Sequence, residues 1–174
     1  TYMENIMNYV NDFETDYLTK AADILDNGDN RKGRNGRTLS LPFQDVSFNL
    51  QKGLPLLTTR KSHYKGVFGE YAALIRGPTH IDDFTMFGCN FWKTQRSGDW
   101  MIGVPADALL ASAMTLSFAS LAGLKPRNVK MMIGDAHVYE PHWEAAEEQT
   151  TRVPYEPPSY SFKAQTDLYS FVPS

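Results

Sequence analysis

The residues best suited to chemistry lie in two short stretches, residues 95–107 and 134–139. The first stretch places Arg96, Ser97 and Asp99 within four positions, on a short loop ahead of an apolar helix. Arginine offers phosphate oxygens a planar fork of donors and serine adds a hydroxyl, so this loop predicts a site for a phosphate and its sugar. In the second stretch His137 and Tyr139 alternate on a predicted strand, so both face one side and can share a ligand hydroxyl.

Two further features carry charge in places that need an explanation. Glu70 lies within an apolar set on a helix predicted over residues 63–76, where a bare carboxylate is costly to bury. A structural and a functional role are both open for it. Residues 29–37 are predicted to form a loop that is either a solvent-facing turn, which we favour, or a phosphate clamp. Its basic residues are Arg31, Lys32, Arg34 and Arg37.

Composition limits the classes of function. A net charge of −3 argues against a general nucleic-acid binder, so any anionic ligand must be held by a local cluster of basic residues. The single cysteine excludes an internal disulfide and favours a reducing compartment, for which we predict the cytoplasm. No apolar run is expected to reach membrane-spanning length, and the acidic N-terminal region is unlike a signal peptide. Neither a metal site, nor a nucleic-acid partner, nor a membrane partner is predicted.

The elements that must position these residues follow from hydrophobic periodicity. Val46, Phe48 and Leu50 fall on one face of a predicted strand, and Gly28 is predicted to end the first helix. Asp107 is predicted in the first turn of an apolar helix, where a helix N-terminus favours a carboxylate. Helices are predicted over residues 3–26, 63–76, 106–121 and 142–149, with a short helix or loop over 81–87. Strands are predicted over 38–50, as a pair around Pro42, over 129–138, and as a last strand or edge segment over 162–171.

Seven motifs, in one order along the chain, resemble the thymidylate synthase family and its pyrimidine-nucleotide hydroxymethylase relatives. They are residues 24–28, 38–41, 53–61, 66–77, 95–105, 123–126 and 134–142. One motif alone is a weak signal, but the ordered set covers most of the chain. The resemblance implies an α/β (α+β) fold in one domain over residues 1–174, with a large mixed sheet packed against helices. It also implies a homodimer in which two sheets meet face to face.

The same resemblance implies the chemistry. In the family a cysteine thiolate adds to C6 of a pyrimidine nucleotide, and 5,10-methylenetetrahydrofolate supplies a carbon to C5 as co-substrate. Synthases complete a methyl group with the folate's hydride, whereas hydroxymethylases let water capture the methylene. The implied activity is therefore a methyltransferase-type one-carbon transfer in nucleotide biosynthesis, with a pyrimidine nucleoside monophosphate and a folate as ligands.

Roles carry over position by position. Glu70 matches the family's catalytic glutamate, and Asp99 matches the aspartate that faces the folate pterin. Trp92 and Gly103 match further positions at the folate. The implied substrate-binding residues are Arg96 and Ser97 for the phosphate, His137 and Tyr139 for the sugar hydroxyl, and Arg34 for the phosphate, with Arg37 as its alternative because the loop is one residue shorter than the family pattern.

Asp107 departs from the pattern. Synthases that act on deoxyuridylate have asparagine here, whose amide bonds N3–H and O4 of uracil. Cytosine instead presents an acceptor at N3 and an amine donor, and a carboxylate accepts well from that amine. The deoxycytidylate hydroxymethylases resemble this chain in having aspartate here, so Asp107 favours cytosine over uracil as the base. The alternative is that Asp107 only caps the helix, and we favour the base-reading role.

A larger departure lies next to Trp92. The family has a long segment between this region and the Gln-Arg-Ser motif, and that segment carries the nucleophilic cysteine. Here Trp92 is followed almost directly by Gln95, and Cys89 lies where the family has a packing position, so Cys89 is not assigned as the nucleophile. A C-terminal lid is also expected to be absent. Either the sequence joins parts of a longer chain, which we favour because the flanking motifs are intact, or the protein has no such nucleophile.

The leading prediction is a deoxycytidylate 5-hydroxymethyltransferase. The alternatives are a thymidylate synthase acting on dUMP and, if the central segment is truly missing, a nucleotide-binding module without catalysis.

Overall fold

The computed structural model describes residues 11–33, 35–90 and 99–173. The predictions made for Arg34, Trp92, Arg96 and Ser97, and for residues 3–10 of the first helix, lie outside these residues. The described helices are α1 (Asp12–Asn27), α2 (Tyr64–Leu74), α3 (Ile81–Thr85), α4 (Gly103–Leu121) and α5 (Trp143–Thr150), with 3₁₀ turns at Glu140–His142 and Leu168–Ser170. The described strands are β1 (Asp29–Gly33), β2 (Gly36–Asn49) and β3 (Asn128–Tyr139). This mixture of helices and antiparallel sheet is an α+β fold.

The described strands form one antiparallel sheet in the order β1-β2-β3. Its long β2–β3 ladder runs from Thr38 opposite Tyr139 to Asn49 opposite Asn128. A three-stranded antiparallel sheet differs from the large mixed sheet that the resemblance implied. Residues 162–171, predicted as a last strand, do not add to the sheet; instead, the Arg76 guanidinium donates to the carbonyls of Tyr169 and Phe171.

Helix α1 covers one face of the sheet because its apolar residues recur at intervals of four, four and three. Phe13, Tyr17, Ala21 and Ile24 are all buried on this face, and Val46 and Phe48 of β2 lie in the same core. The predicted end of the helix is confirmed, since the Gly28 N–H donates to the Ile24 carbonyl over 3.0 Å. A Cβ at this position would lie 2.3 Å from that oxygen and 3.0 Å from the Ser40 nitrogen, so a side chain does not fit there.

Two predictions about the N-terminal half of the sheet were wrong. Residues 29–33 form strand β1 of a hairpin rather than part of a loop, and every residue of β1 is exposed. Residues 38–50 were expected to be a pair of strands, but β2 is one strand whose register with β3 is the same on both sides of Phe43. Phe43 itself adopts a φ of 57°, which is unusual for a bulky residue, and its side chain is exposed.

Helix α4 begins three residues earlier than its pattern predicted. Pro105 lies inside its first turn, where a missing N–H costs no helical hydrogen bond. Asp107 therefore lies in the second turn, and the predicted placement at the N-terminal turn was wrong. Among the described residues, α4 is also the one helix that is long and apolar enough to cross a membrane, which the sequence was not expected to contain. The core helix of a globular protein meets the same criterion, and half of α4 is buried.

Candidate active site

The segment that leads into α4 is fixed to α1 by a reciprocal pair of aromatic residues. Tyr17 and Trp100 are both fully buried, and their rings stack with centroids 5.6 Å apart. The Tyr17 hydroxyl donates to the Trp100 carbonyl over 3.1 Å, and the Trp100 indole N–H donates to the Tyr17 carbonyl over 3.2 Å. Burial raises the pKa of the Tyr17 hydroxyl, so it remains a donor. This pair holds the neighbouring residue, Asp99, in place.

Asp99 is 2% exposed and lies where α4 meets the end of β3. It forms a parallel bridge with His137, and the Trp100 N–H donates to the His137 carbonyl over 2.8 Å. Its side-chain Oδ1 accepts from the Met101 N–H over 2.9 Å, and its carbonyl accepts from Gly103 and Val104. Burial raises the pKa of the Asp99 carboxyl. The Met101 N–H and the nearby imidazoles of His142 and His137 act in the opposite direction, because they favour the ionised carboxylate.

His137 and Tyr139 lie side by side at the same end of β3, as their alternation predicts. Their rings meet edge to face, with centroids 5.0 Å apart. The His137 Nδ1 lies 3.1 Å from the Asp135 carbonyl, whereas its Nε2 is buried and has no hydrogen-bond partner among the described residues. A buried ring nitrogen in this condition is costly unless a ligand satisfies it, so the geometry suits a ligand hydroxyl.

The sequence did not identify His142 as a site residue, although the structure brings it to Asp99. The two atoms closest to each other, His142 Nδ1 and Asp99 Oδ2, are 3.6 Å apart. His142 ends the 3₁₀ turn that follows β3, more than forty positions from Asp99 in the chain. A pairing at that separation has no local sequence signal, because only the bridge between Asp99 and β3 brings the two residues together.

A cleft of about 800 Å³ opens between residues 60–67 and the start of α4, and Ile102, three positions after Asp99, is part of its lining. Arg60, Lys61 and Lys65 line it together with His63, and no acidic residue lines it in the described part of the chain. The Arg60 Nε is buried and has no partner among the described residues. The cleft therefore suits an anionic group. The signal missed in the sequence is the clustering of these basic residues within positions 60–65.

Glu70 lies on the buried face of α2 and is 6% exposed. The preceding residue, Gly69, lets α2 pack closely against residues 87–89: a Cβ at Gly69 would lie 2.0 Å from the Phe87 carbonyl oxygen. Helix α2 packs in turn against α4, so Glu70 and Asp107 lie on neighbouring helices.

Asp107 is half-buried on α4, and its side chain makes no hydrogen bond or ion pair with any described residue. Burial raises the pKa of its carboxyl. Because Asp107 is outside the first turn, the macrodipole at the helix end does not explain a carboxylate here. A ligand group that donates to it remains an explanation for the aspartate.

Two other predicted positions have structural partners. Arg37, the alternative phosphate ligand, lies 3.3 Å from the Glu140 carboxylate and 5.8 Å from the centre of the Trp143 ring. Gly103, predicted at the folate, is the first residue of α4, and its N–H donates to the Asp99 carbonyl. Cys89, which the sequence did not assign as a nucleophile, is buried at 1% exposure.

The fold and the site define an α+β protein in which a carboxylate, two imidazoles and a phenol are grouped at one end of β3, with a basic cleft at the start of α4. The thymidylate synthase family model matches residues 15–94 and 93–174, so the chain belongs to the thymidylate synthase family. The chain is 38% identical over 88 residues to the thymidylate synthase of Pseudomonas putida, a match that covers 49% of this chain and 27% of that protein. It is 39% identical over 77 residues to the thymidylate synthases of Bordetella parapertussis and Bordetella bronchiseptica, which covers 44% of this chain and 24% of each relative. The matched part thus spans about a quarter of the length of these curated relatives.

Proposed function

We propose that the protein transfers a one-carbon unit from 5,10-methylenetetrahydrofolate to C5 of a pyrimidine nucleotide. The observation that carries this proposal is the assembly of Asp99, His137 and Tyr139 at one end of β3, in a chain that belongs to the thymidylate synthase family. In this proposal His137 and Tyr139 bind the sugar hydroxyl through the buried Nε2 and the phenol. Arg96 and Ser97 bind the phosphate, with Arg34 as a further phosphate ligand.

The described residues also fit the folate. Folates end in a glutamate, and the cations of Arg60, Lys61 and Lys65 in the neighbouring cleft suit its carboxylates. Asp99 would face the pterin, with Trp92 and Gly103 nearby, and Glu70 would hold water and protons at the base. When bound, the folate supplies the carbon that is transferred.

The relatives that match are named thymidylate synthases, which favours dUMP as the substrate and a methylated product. A synthase converts the folate to dihydrofolate, so the absorbance of dihydrofolate tests this version directly. We expect it to rise when the protein is mixed with dUMP and methylenetetrahydrofolate. No rise with dUMP, together with a new product from dCMP, would reject the synthase version.

One observation favours a second candidate, dCMP hydroxymethylation. Asp107 stands where uracil-specific synthases have asparagine, and its half-buried carboxyl makes no hydrogen bond or ion pair with a described residue. This version predicts that dCMP reacts faster than dUMP, and that Asp107→Asn shifts the preference toward dUMP by roughly tenfold or more. Arg96→Ala serves as the control, because the loss of a phosphate ligand should weaken the binding of dUMP and of dCMP equally. An unchanged preference in Asp107→Asn would reject the base-reading role.

A third candidate, nucleotide binding without catalysis, is favoured by the junction in the chain. The two family matches meet at residues 93–94, and the sole cysteine, Cys89, is buried. Both observations support the proposal that a central segment of the family is missing here, together with its nucleophile. Binding of dUMP or dCMP in calorimetry, with no product in mass spectrometry, would favour this candidate.

The homodimer and the cytoplasmic location follow from the resemblance and the cysteine content, and both stay predictions.

A further inference from the structure

His142 ends one of the family-like motifs, residues 134–142, but the resemblance gave it no role. We propose that His142 is a positioning residue that holds the Asp99 carboxylate in a single orientation through its Nδ1. This inference deepens the proposed function and rests on it only for the role of Asp99 toward the folate. The contact itself is a property of the protein alone.

The two oxygens of Asp99 have different surroundings. Oδ1 accepts a hydrogen bond from the Met101 N–H, which sets one side of the carboxylate. Oδ2 faces His142 Nδ1 at 3.6 Å, slightly beyond a normal hydrogen bond but within the reach of an ion pair. The Nδ1 atom is buried and has no hydrogen-bond partner among the described residues. Because a buried polar nitrogen needs a partner, the Asp99 carboxylate is a candidate for it among the described residues.

The turn that carries His142 is held on both sides. Arg37 of β2 reaches the Glu140 carboxylate at 3.3 Å, which fixes the start of the Glu140–His142 turn. After the turn, the Trp143 indole N–H donates to the Val138 carbonyl over 3.0 Å. These contacts hold the backbone on both sides of His142 close to β2 and β3, which a positioning residue requires.

The surrounding charges favour the same assignment. Burial disfavours an ionised Asp99, whereas the nearby imidazoles of His142 and His137 offset part of that cost. His137 Nδ1 is already engaged near Asp135, so its ring is oriented by other groups. Other titratable or charged groups near this cluster are Tyr17 and Glu14 from α1, Arg60 ahead of α2, Arg37 from β2, Asp135 from β3 and Glu140 from the turn. The backbone N–H groups of Met101 and Ile102 also favour the ionised carboxylate, and among the titratable groups of the described residues His142 is the one whose nitrogen faces Oδ2.

Two substitutions separate the Nδ1 atom from the rest of the ring. In His142→Asn the side-chain amide places a donor close to the position of Nδ1, whereas in His142→Gln the amide reaches toward the position of Nε2. Both variants are polar and similar in size, so each controls for the packing of the other. The readout is the pKa of the Asp99 carboxyl, measured by ¹³C NMR in the absence of nucleotide and folate.

We expect both variants to raise the pKa of the Asp99 carboxyl, because both remove the imidazole charge, and we expect the smaller rise in His142→Asn, whose amide still places a donor near Oδ2. If the enzyme is active, we also expect His142→Gln to lower kcat/KM for the folate roughly tenfold, with nucleotide affinity unchanged and with rescue in His142→Asn. The inference is overturned if both variants leave the titration of Asp99 unchanged, or if both raise it equally. A shifted titration in a protein that shows no turnover would retain the inference and reject the catalytic version of the proposed function.

Discussion

Among the described residues, Glu14 is the buried carboxylate that accepts the most hydrogen bonds. These bonds allow an estimate of the stability that is lost when Glu14 is replaced by glutamine. Glu14 is fully buried on α1 and accepts five hydrogen bonds. Oε1 accepts from the N–H of Thr58 and from the N–H and hydroxyl of Thr59, and Oε2 accepts from the Thr58 hydroxyl and the Asn11 amide. These bonds tie α1 to the segment that leads into the basic cleft.

The size of the effect follows from these bonds. In Glu14→Gln the amide nitrogen best replaces Oε2, because the other oxygen has three donors. The buried Asn11 amide and the partly buried Thr58 hydroxyl then face an N–H₂ group, and each costs up to about 1–3 kcal/mol if it stays unsatisfied. The Thr58 hydroxyl can rotate, which recovers part of the loss, so we expect a decrease in unfolding free energy of about 2–4 kcal/mol.

Urea denaturation followed by tryptophan fluorescence, to which the buried Trp100 contributes, measures this difference. For an m-value of about 2 kcal/mol/M, the midpoint should fall by roughly 1–2 M with an unchanged slope. The matched control is Glu147→Gln, the same chemical change at an exposed position of α5, which should stay within about 0.5 kcal/mol of the wild type. Equal midpoints for Glu14→Gln and the wild type would refute the claim that these bonds hold the segment in place.

Two further predictions concern the helices that carry Glu70 and Asp107. Gly69→Ala should destabilise the protein by about 3 kcal/mol, because its Cβ would lie 2.0 Å from the Phe87 carbonyl oxygen. The control is Gly134→Ala, whose Cβ would meet no atom within 4 Å and which should stay within about 1 kcal/mol of the wild type. Equal melting temperatures for the two variants would contradict the close packing at Gly69. Asp107→Asn should stabilise the protein increasingly as pH rises, because burial raises the pKa of this carboxyl above 3.8 and the folded state therefore loses stability as the group ionises. Urea unfolding at about pH 4 and about pH 7 measures the difference, and a gain that is the same at both values would be inconsistent with a raised pKa.

Periodicity predicted the parts of the fold that bury a single face. The residues of α1 and the buried face of β2 follow their patterns, because burial of one side imposes a repeat of 3.6 or 2. The sequence of strand β1 has no such repeat, because all its residues are exposed. Its extended conformation is held by the backbone pairing with β2. The start of α4 was misplaced by three residues, and the helix includes Pro105, which fits a first turn because its missing N–H costs no helical hydrogen bond there.

The candidate site divides in the same way. His137 and Tyr139 were predicted because their alternation on one strand is local. The contact between Asp99 and His142 was not, because it depends on the pairing of the α4 entrance with β3. The basic residues at 60–65 were visible in the sequence, but their common cleft with the start of α4 required the packing of residues 60–67 against that helix.

The central claim is that the group at the end of β3 binds a pyrimidine nucleotide for one-carbon transfer at C5. The most direct measurement is the mass spectrum of nucleotides recovered after the protein is incubated with an equal mixture of dUMP and dCMP and with methylenetetrahydrofolate. The account predicts that one of them gains a single carbon at C5, as methyl on dUMP or hydroxymethyl on dCMP, and that His137→Ala reduces the yield. Recovery of both nucleotides unchanged would contradict the proposed transfer.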